Sequence, residues 1–319
     1  MIMSLEVLEI NGLATVQDLG RKNWRRFGVP TSGPMDVFAF HAANALLDNF
    51  SACAIIEIGL GDVAFQALQD CVIAVTGSGY RLSIYIWEFP LWSSFFVRAG
   101  WKISLNKIND GMWAYLAVAG GVQTEPILGS RSTYLRGHFG GFKGRQLQAG
   151  DVIKSGNQSH SSFEVAARTM LGEARPAYTQ HPIIDVILGP QTNYLTHESI
   201  ERFISSEYTV SLTSDRMGYR LEGPSLAYRD KTELISEGIA FGVIQVPPNG
   251  QPIVIMADGA TTGGYPKIGT VASADLPLLA QCVPSKSKIR FRETTVVKAQ
   301  KKYRELMSKL KNSMVDSEY

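Results

Sequence analysis

Residues Gln245–Lys267 read QVPPNGQPIVIMADGATTGGYPK. Pro247-Pro248 and Asn249-Gly250 are turn formers, and they precede a short apolar run, Ile253–Met256. A run this short, bounded by turn signals, reads as a buried strand rather than a helix. Beyond it Asp258, Thr261, Thr262, Gly263, Gly264, Tyr265 and Lys267 fall on a segment too rich in glycine to be core. A strand that delivers a carboxylate, hydroxyls and an ammonium into a flexible loop is a common way to present a polar site. Glycines let backbone N–H groups approach an anion closely, and Lys267 adds positive charge. An ordinary strand–turn–strand connection has the same composition, so chemistry alone leaves both readings open.

The same punctuation extends along the chain. Thirty glycines and fourteen prolines separate many short apolar runs, as in a mainly β protein with a few helices. Strands are expected at Leu5–Ile10, Cys71–Thr76, Phe95–Ala99, Trp113–Val118, Ile183–Leu188, Thr209–Leu212, Ile253–Met256 and Ile289–Phe291. Helices are expected at Asp36–Leu47, Asn193–Phe203 and Asp275–Gln281, with a partly helical stretch at Phe163–Leu171. No regular alternation of strand and helix is present, so barrel or sandwich lobes fit better than a doubly wound sheet. With 319 residues, 45% of them apolar, the chain has material for two domains. The boundaries are expected at a β-rich lobe over 1–155, a polar connection over 156–181, a second lobe over 182–297 and a basic helical or disordered tail over 298–319.

A formal net charge of +2 gives no reason to expect nucleic acid or a membrane surface as partner. No apolar run approaches the roughly 18 residues that span a bilayer. The start, MIMSLEVLEI, alternates like a strand and lacks the pattern of a signal peptide. Cys53, Cys71 and Cys282 are odd in number and form no CxxC pair, which fits buried free thiols and a cytoplasmic location.

Three further clusters carry polar chemistry. Thr15–Arg21 (TVQDLGR) leads to Gly28–Asp36 (GVPTSGPMD), where Ser32 and Asp36 suit a helix cap and the helix start suits an anion. Gly120–Gly144 sets Arg131, Arg136, His138 and Lys143 among glycines, a composition suited to wrapping an anionic ligand or a partner. Ser214–Gly223 (SDRMGYRLEG) carries Asp215, Arg216, Arg220 and Glu222, for which internal salt bridges are the competing reading. Gly259–Gly264 has a P-loop's glycine spacing but Tyr265-Pro266 where Lys-Ser/Thr belongs. There is no HExxH, GxSxG or zinc spacing, so the chain has no self-contained catalytic device of those kinds.

The segments TVQDLGR, GVPTSGPMD, AYLAVAGG, GSRSTYLRGHFGG, SDRMGYRLEG and Gln245–Lys267 with SADLP resemble, in order, the KipA-type biotin-dependent carboxyltransferase-domain family, grouped with the C component of 5-oxoprolinase. The resemblance runs from about residue 12 to 292. It implies cyclophilin-like β-barrel lobes and two partners, a KipI-type B component and an A component. Together these open 5-oxoproline to glutamate with ATP and magnesium. Related modules in urea carboxylases move carboxyl from biotin to urea. No Met-Lys-Met-like carrier sequence occurs, so no biotin is expected on this chain, and the matched blocks leave no room for the partner module.

On that reading, Lys267 and Arg216 suit phosphate, Gly263 and Gly264 offer N–H donors, and Asp258 suits a base. Gln245 and Gln251 can orient a lactam or amide substrate, with Thr262, Tyr265, Arg131 and Ser32 as further binding groups. A regulatory protein that antagonises a KipI-like kinase inhibitor is one alternative, and a carboxyltransferase component of a urea-type carboxylase is another. No family role transfers to the tail after Lys298.

Overall fold

The computed structural model describes residues 2–108, 110–157, 164–230 and 234–316. Its chain forms two compact units. One comprises residues 1–21, 32–176 and 307–319, and the other residues 22–31 and 177–306. Both are mainly β, with four α-helices among the described residues: α1 Val37–Leu46, α2 His197–Ser205, α3 Leu276–Ala280 and α4 Val296–Asn312.

The first unit is built on two seven-stranded sheets. Alternate residues of their strands, including Val63 and Phe65, Ile56 and Ile58, Ile73 and Val75, and Ile103 and Leu105, meet in one apolar core. That period of two is what a sheet with one face on the core requires. Strand Cys71–Gly77 is buried along its whole length because α1 covers its other face. Asp36 caps α1 as expected, accepting from the Ala39 N–H at 2.9 Å.

The second unit contains a closed seven-stranded barrel. Its order is Ile183–Leu188, Lys267–Val271, Val243–Gln245, Ile253–Ile255, Gly218–Glu222, Glu207–Val210 and Lys288–Glu293. The last strand closes on the first in parallel, with Ile184 beside Phe291. The Gln245–Lys267 stretch therefore supplies the connections among three neighbouring staves. Ile253–Ile255 folds back on Val243–Gln245, and Lys267–Val271 pairs with the other edge of that same strand. Gly250 makes the turn at a φ of +74°, where a Cβ would also strike Ser225 Oγ.

One local expectation is corrected. Part of the stretch 163–171, Arg168–Met170, is a strand rather than helix; Phe163 lies outside the described residues. Ser94 Oγ donates to the Val165 carbonyl and accepts from the Arg168 N–H, which holds this backbone at the sheet edge and outweighs its helix propensity. The tail is ordered helix as far as Asn312, and Met314–Asp316 then pairs with Arg168–Met170.

A charged clasp fastens α4 to the barrel. Lys302 Nζ lies 2.6 Å from both Asp185 and Asp275, and Arg292 reaches Asp185 at 2.7 Å. Burial works against ionisation of Asp185, but the hydrogen bonds from Arg292 and Lys302 outweigh it and hold the carboxyl below its usual range. For Asp275 burial wins over the Lys302 contact, and its pKa is raised. The Asp185 contribution is thus present above the ordinary carboxylate pKa and is lost as pH falls through the depressed value. Asp275 has the opposite sign, since its ionised form costs stability once pH rises through its raised value. Lys302→Met is expected to cost about 1–3 kcal/mol at pH 7, below the full cost of breaking a buried pair because the lysine is partly solvated. Denaturant unfolding should show that deficit shrinking in two steps as pH falls, first as Asp275 protonates through its raised value and then as Asp185 protonates below the usual carboxylate range.

Candidate functional site

Gln245 and Lys267 are register partners on adjacent barrel strands, so their side chains share one face of the sheet. Gln245 is buried, and its amide donates to the Tyr265 carbonyl at 3.3 Å. A Cβ at Gly263 would sit 2.6 Å from that amide nitrogen, so the glycine lets this backbone pass close against the Gln245 amide. Glycine richness here serves close packing of the loop on a buried glutamine.

Lys267 closes a small ring with two residues that the sequence did not single out. Its N–H donates to Gln191 Oε1 at 2.9 Å, and Gln191 Nε2 donates to Glu237 Oε1 at 2.5 Å. Glu237 Oε2 in turn lies 3.3 Å from Lys267 Nζ. Glu237 pairs with Gly263 in a two-residue ribbon, Glu237–Gly238 against Thr262–Gly263. Arg25, on the segment 22–31, stakes the neighbouring loops by donating to the carbonyls of Ile239 and Ala260. Gln191 follows a Gly-Pro turn directly after strand Ile183–Leu188, the position where a barrel rim presents side chains, and that was the available signal. Glu237 lies between Ile235 and Ile239, away from the polar clusters, and gave none.

The other expected site residues fall into different arrangements. Asp258 and Arg216 are buried against each other, with Nε to Oδ2 at 2.8 Å and a second nitrogen to Oδ1 at 3.2 Å. Such a bidentate pair uses the guanidinium fork and both carboxylate oxygens. It does not leave Asp258 disposed as a base or Arg216 as a phosphate ligand, and the salt-bridge reading of the third cluster holds for this arginine. The pair ties strand Gly218–Glu222 to the start of the glycine loop, where the Asp258 N–H also bonds the Arg216 carbonyl. Gln251 clamps Gly223 through both ends of its amide, at 3.1 and 3.0 Å, so that amide is already spent on backbone. Thr262 and Tyr265 are exposed, and Gly264 packs close to the Leu234 carbonyl.

Ser32 and Arg131 belong to the first unit. There Asp18 is a hub, accepting from Ser130 Oγ at 2.5 Å, the Arg131 N–H at 2.6 Å, Ser132 Oγ at 2.7 Å and the Gly20 N–H at 2.9 Å. Gln17 accepts from the Gly33 N–H and donates to the Thr133 carbonyl. Three of the polar segments are thereby one hydrogen-bonded assembly. Arg131 turns inward on its own loop, donating to the Thr124 carbonyl and to Gln123. Ser32 does not cap α1. It is buried at a φ of +58°, and its hydroxyl has no hydrogen-bond partner among the described residues.

Burial pushes the Cys71 and Cys282 thiols up to about 12, as expected of inert core cysteines. Among the described residues no three His, Cys, Asp or Glu side chains gather as a metal-holding group, and no helix is long and apolar enough to cross a membrane.

This arrangement has known relatives. The carboxyltransferase domain, subdomain A and B, matches residues 27–293. The chain is 38% identical to the C component of 5-oxoprolinase from Haemophilus influenzae and 35% identical to that from Escherichia coli, each match covering 93% of both proteins. Among solved structures, the K. lactis urea amidolyase superposes with a TM-score of 0.91 at 28% identity. That match covers 98% of this chain but only 20% of the amidolyase. Barrel and sheets alike are therefore a shared scaffold, and the chain belongs to the carboxyltransferase-domain family, subdomains A and B.

Proposed function

We propose that this chain is the C component of an ATP-dependent 5-oxoprolinase, a non-autonomous part that opens 5-oxoproline to glutamate with a KipI-type B component and an A component. The observation that carries this reading is the end-to-end match to two such C components; the urea enzymes are matched over a small part of their length.

The local chemistry is compatible with it. A five-membered lactam resists water because amide resonance stabilises its carbonyl, so ring opening needs activation and a place for the negative oxygen that results. ATP supplies that activation at the level of the complex. On this chain, Lys267 suits a carboxylate or phosphoryl oxygen, and Gln245 on the adjacent strand sets an amide beside it. Asp258 and Arg216 hold the loop that brings Gly263 against Gln245, so their contribution is positioning.

The amidolyase likeness favours one second reading, carboxyl transfer from a biotin carried elsewhere to a urea-like amide. Substrate choice tests the two. With the partner proteins and ATP, 5-oxoproline is expected to yield glutamate, while urea with a carboxylated biotin carrier yields no carboxylated product. The reverse pattern would replace the first reading by the second. Partner binding without turnover of either substrate would leave only a regulatory role.

A further inference from the structure

We propose that Glu237 is the resident counterion of an anion seat at Lys267, and that a carboxylate or phosphoryl oxygen of the substrate occupies this seat by displacing it. The identity of the anion rests on the 5-oxoprolinase reading; the seat itself rests on geometry.

The ring formed by Gln191, Glu237 and Lys267 is unequal in one respect. The Lys267 side chain is 15% exposed, whereas that of Glu237 is 49% exposed. The Lys267 ammonium nitrogen is sequestered from solvent yet makes no aligned hydrogen bond, with the Glu237 carboxylate 3.3 Å away. A buried ammonium without aligned acceptors is costly, so the site gains from an oxyanion that fits its donors better than Glu237 does. Glu237 can leave because water solvates its half-exposed carboxylate, at the cost of its hydrogen bond from Gln191 and its 3.3 Å contact with Lys267. Lys267 cannot follow it, since its backbone is fixed in the barrel and held by Gln191.

The surroundings keep the seat in place while the carboxylate moves. Glu237 stands on a ribbon only two residues long on each side, so a change of rotamer is enough to release it. Gly263 opposite brings bare backbone to the same spot, and Gln245 lies beneath it. An incoming oxyanion would thus meet an ammonium on one side and an amide on the other. Glu237 in its resting place excludes anions that bind too weakly to displace it, which makes it a specificity determinant for the site.

Titration calorimetry on the full-length chain alone, with inorganic phosphate and 5-oxoproline as separate probes, tests this. Glu237→Gln preserves shape and the Gln191 contact while removing the competing charge. It is expected to bind at least one probe about two- to fivefold tighter than wild type, the scale of one weak ion pair. Lys267→Met is expected to lose that binding, and Glu237→Ala is the companion should the glutamine variant fold poorly. Tightening for phosphate alone assigns the seat to a phosphoryl oxygen, and tightening for 5-oxoproline alone assigns it to the carboxylate. Unchanged or weaker binding of both probes by folded Glu237 variants overturns the proposal. Because neither partners nor ATP are present, this result is independent of whether the reconstituted complex turns over.

Discussion

Lys267→Met is expected to lower ATP-dependent glutamate release by the proposed reconstituted complex by about 100- to 1,000-fold, the loss that follows when a donor to a developing oxyanion is removed from a shielded site. Methionine keeps the length and apolar stem of the lysine, so packing against the barrel strand survives. The carboxylate left behind, Glu237, is half-exposed and is solvated once its partner has gone. Stability should therefore move by less than about 1 kcal/mol, and circular dichroism should match wild type. Steady-state kinetics then separate two roles. If the lysine serves only ground-state binding, KM rises at constant kcat; if it meets charge that develops during ring opening, kcat falls as well. The second pattern is expected. Wild-type turnover by Lys267→Met would remove the barrel face from the chemistry.

Arg216→Met should show the largest loss of stability, about 3–5 kcal/mol, because it strands the Asp258 carboxylate in a buried setting. Both side chains are only 6% exposed, so water cannot replace the lost guanidinium. Exchanging both partners for neutral groups, Arg216→Met with Asp258→Asn, is expected to recover roughly half of that loss, since no uncompensated charge remains. Chemical denaturation across the resulting double-mutant cycle measures the coupling directly. Additive single effects would mean that the two residues act separately, and Asp258 would become available for another role. The activity lost in Arg216→Met should follow the folded fraction and the ordering of the glycine loop rather than a change in substrate affinity alone.

The contrast between Lys267 and Asp258 shows what the sequence could and could not convey. Strand Trp113–Val118 and strand Ile183–Leu188 were legible to the residue, because turn formers bound short apolar runs on both sides. Arg168–Met170 was not, because its strand state depends on Ser94, which is distant in sequence and tethers the backbone on both sides. The same limit governs the site. Residue type marked Asp258, Arg216 and Lys267 as polar groups near a glycine-rich turn, but their roles depend on which partner each one meets. Arg216 lies 42 positions from Asp258 and consumes it. Glu237 and Gln191 were missed because each is unremarkable in its own neighbourhood and acquires meaning only through the register that closes the barrel. Gln251 looked like a substrate amide until its two bonds to Gly223 were visible.

The six-block resemblance supplied the family, and the barrel supplied a geometry in which one shielded lysine is held only loosely by its counterion. The central claim joins the two: this chain is a required but insufficient part of a lactam-opening enzyme. Glutamate release from 5-oxoproline and ATP, with this chain, the A component and the KipI-type B component each omitted in turn, tests it most directly. Turnover is expected only when all three are present. Turnover by this chain alone, or undiminished turnover in its absence, would contradict the account.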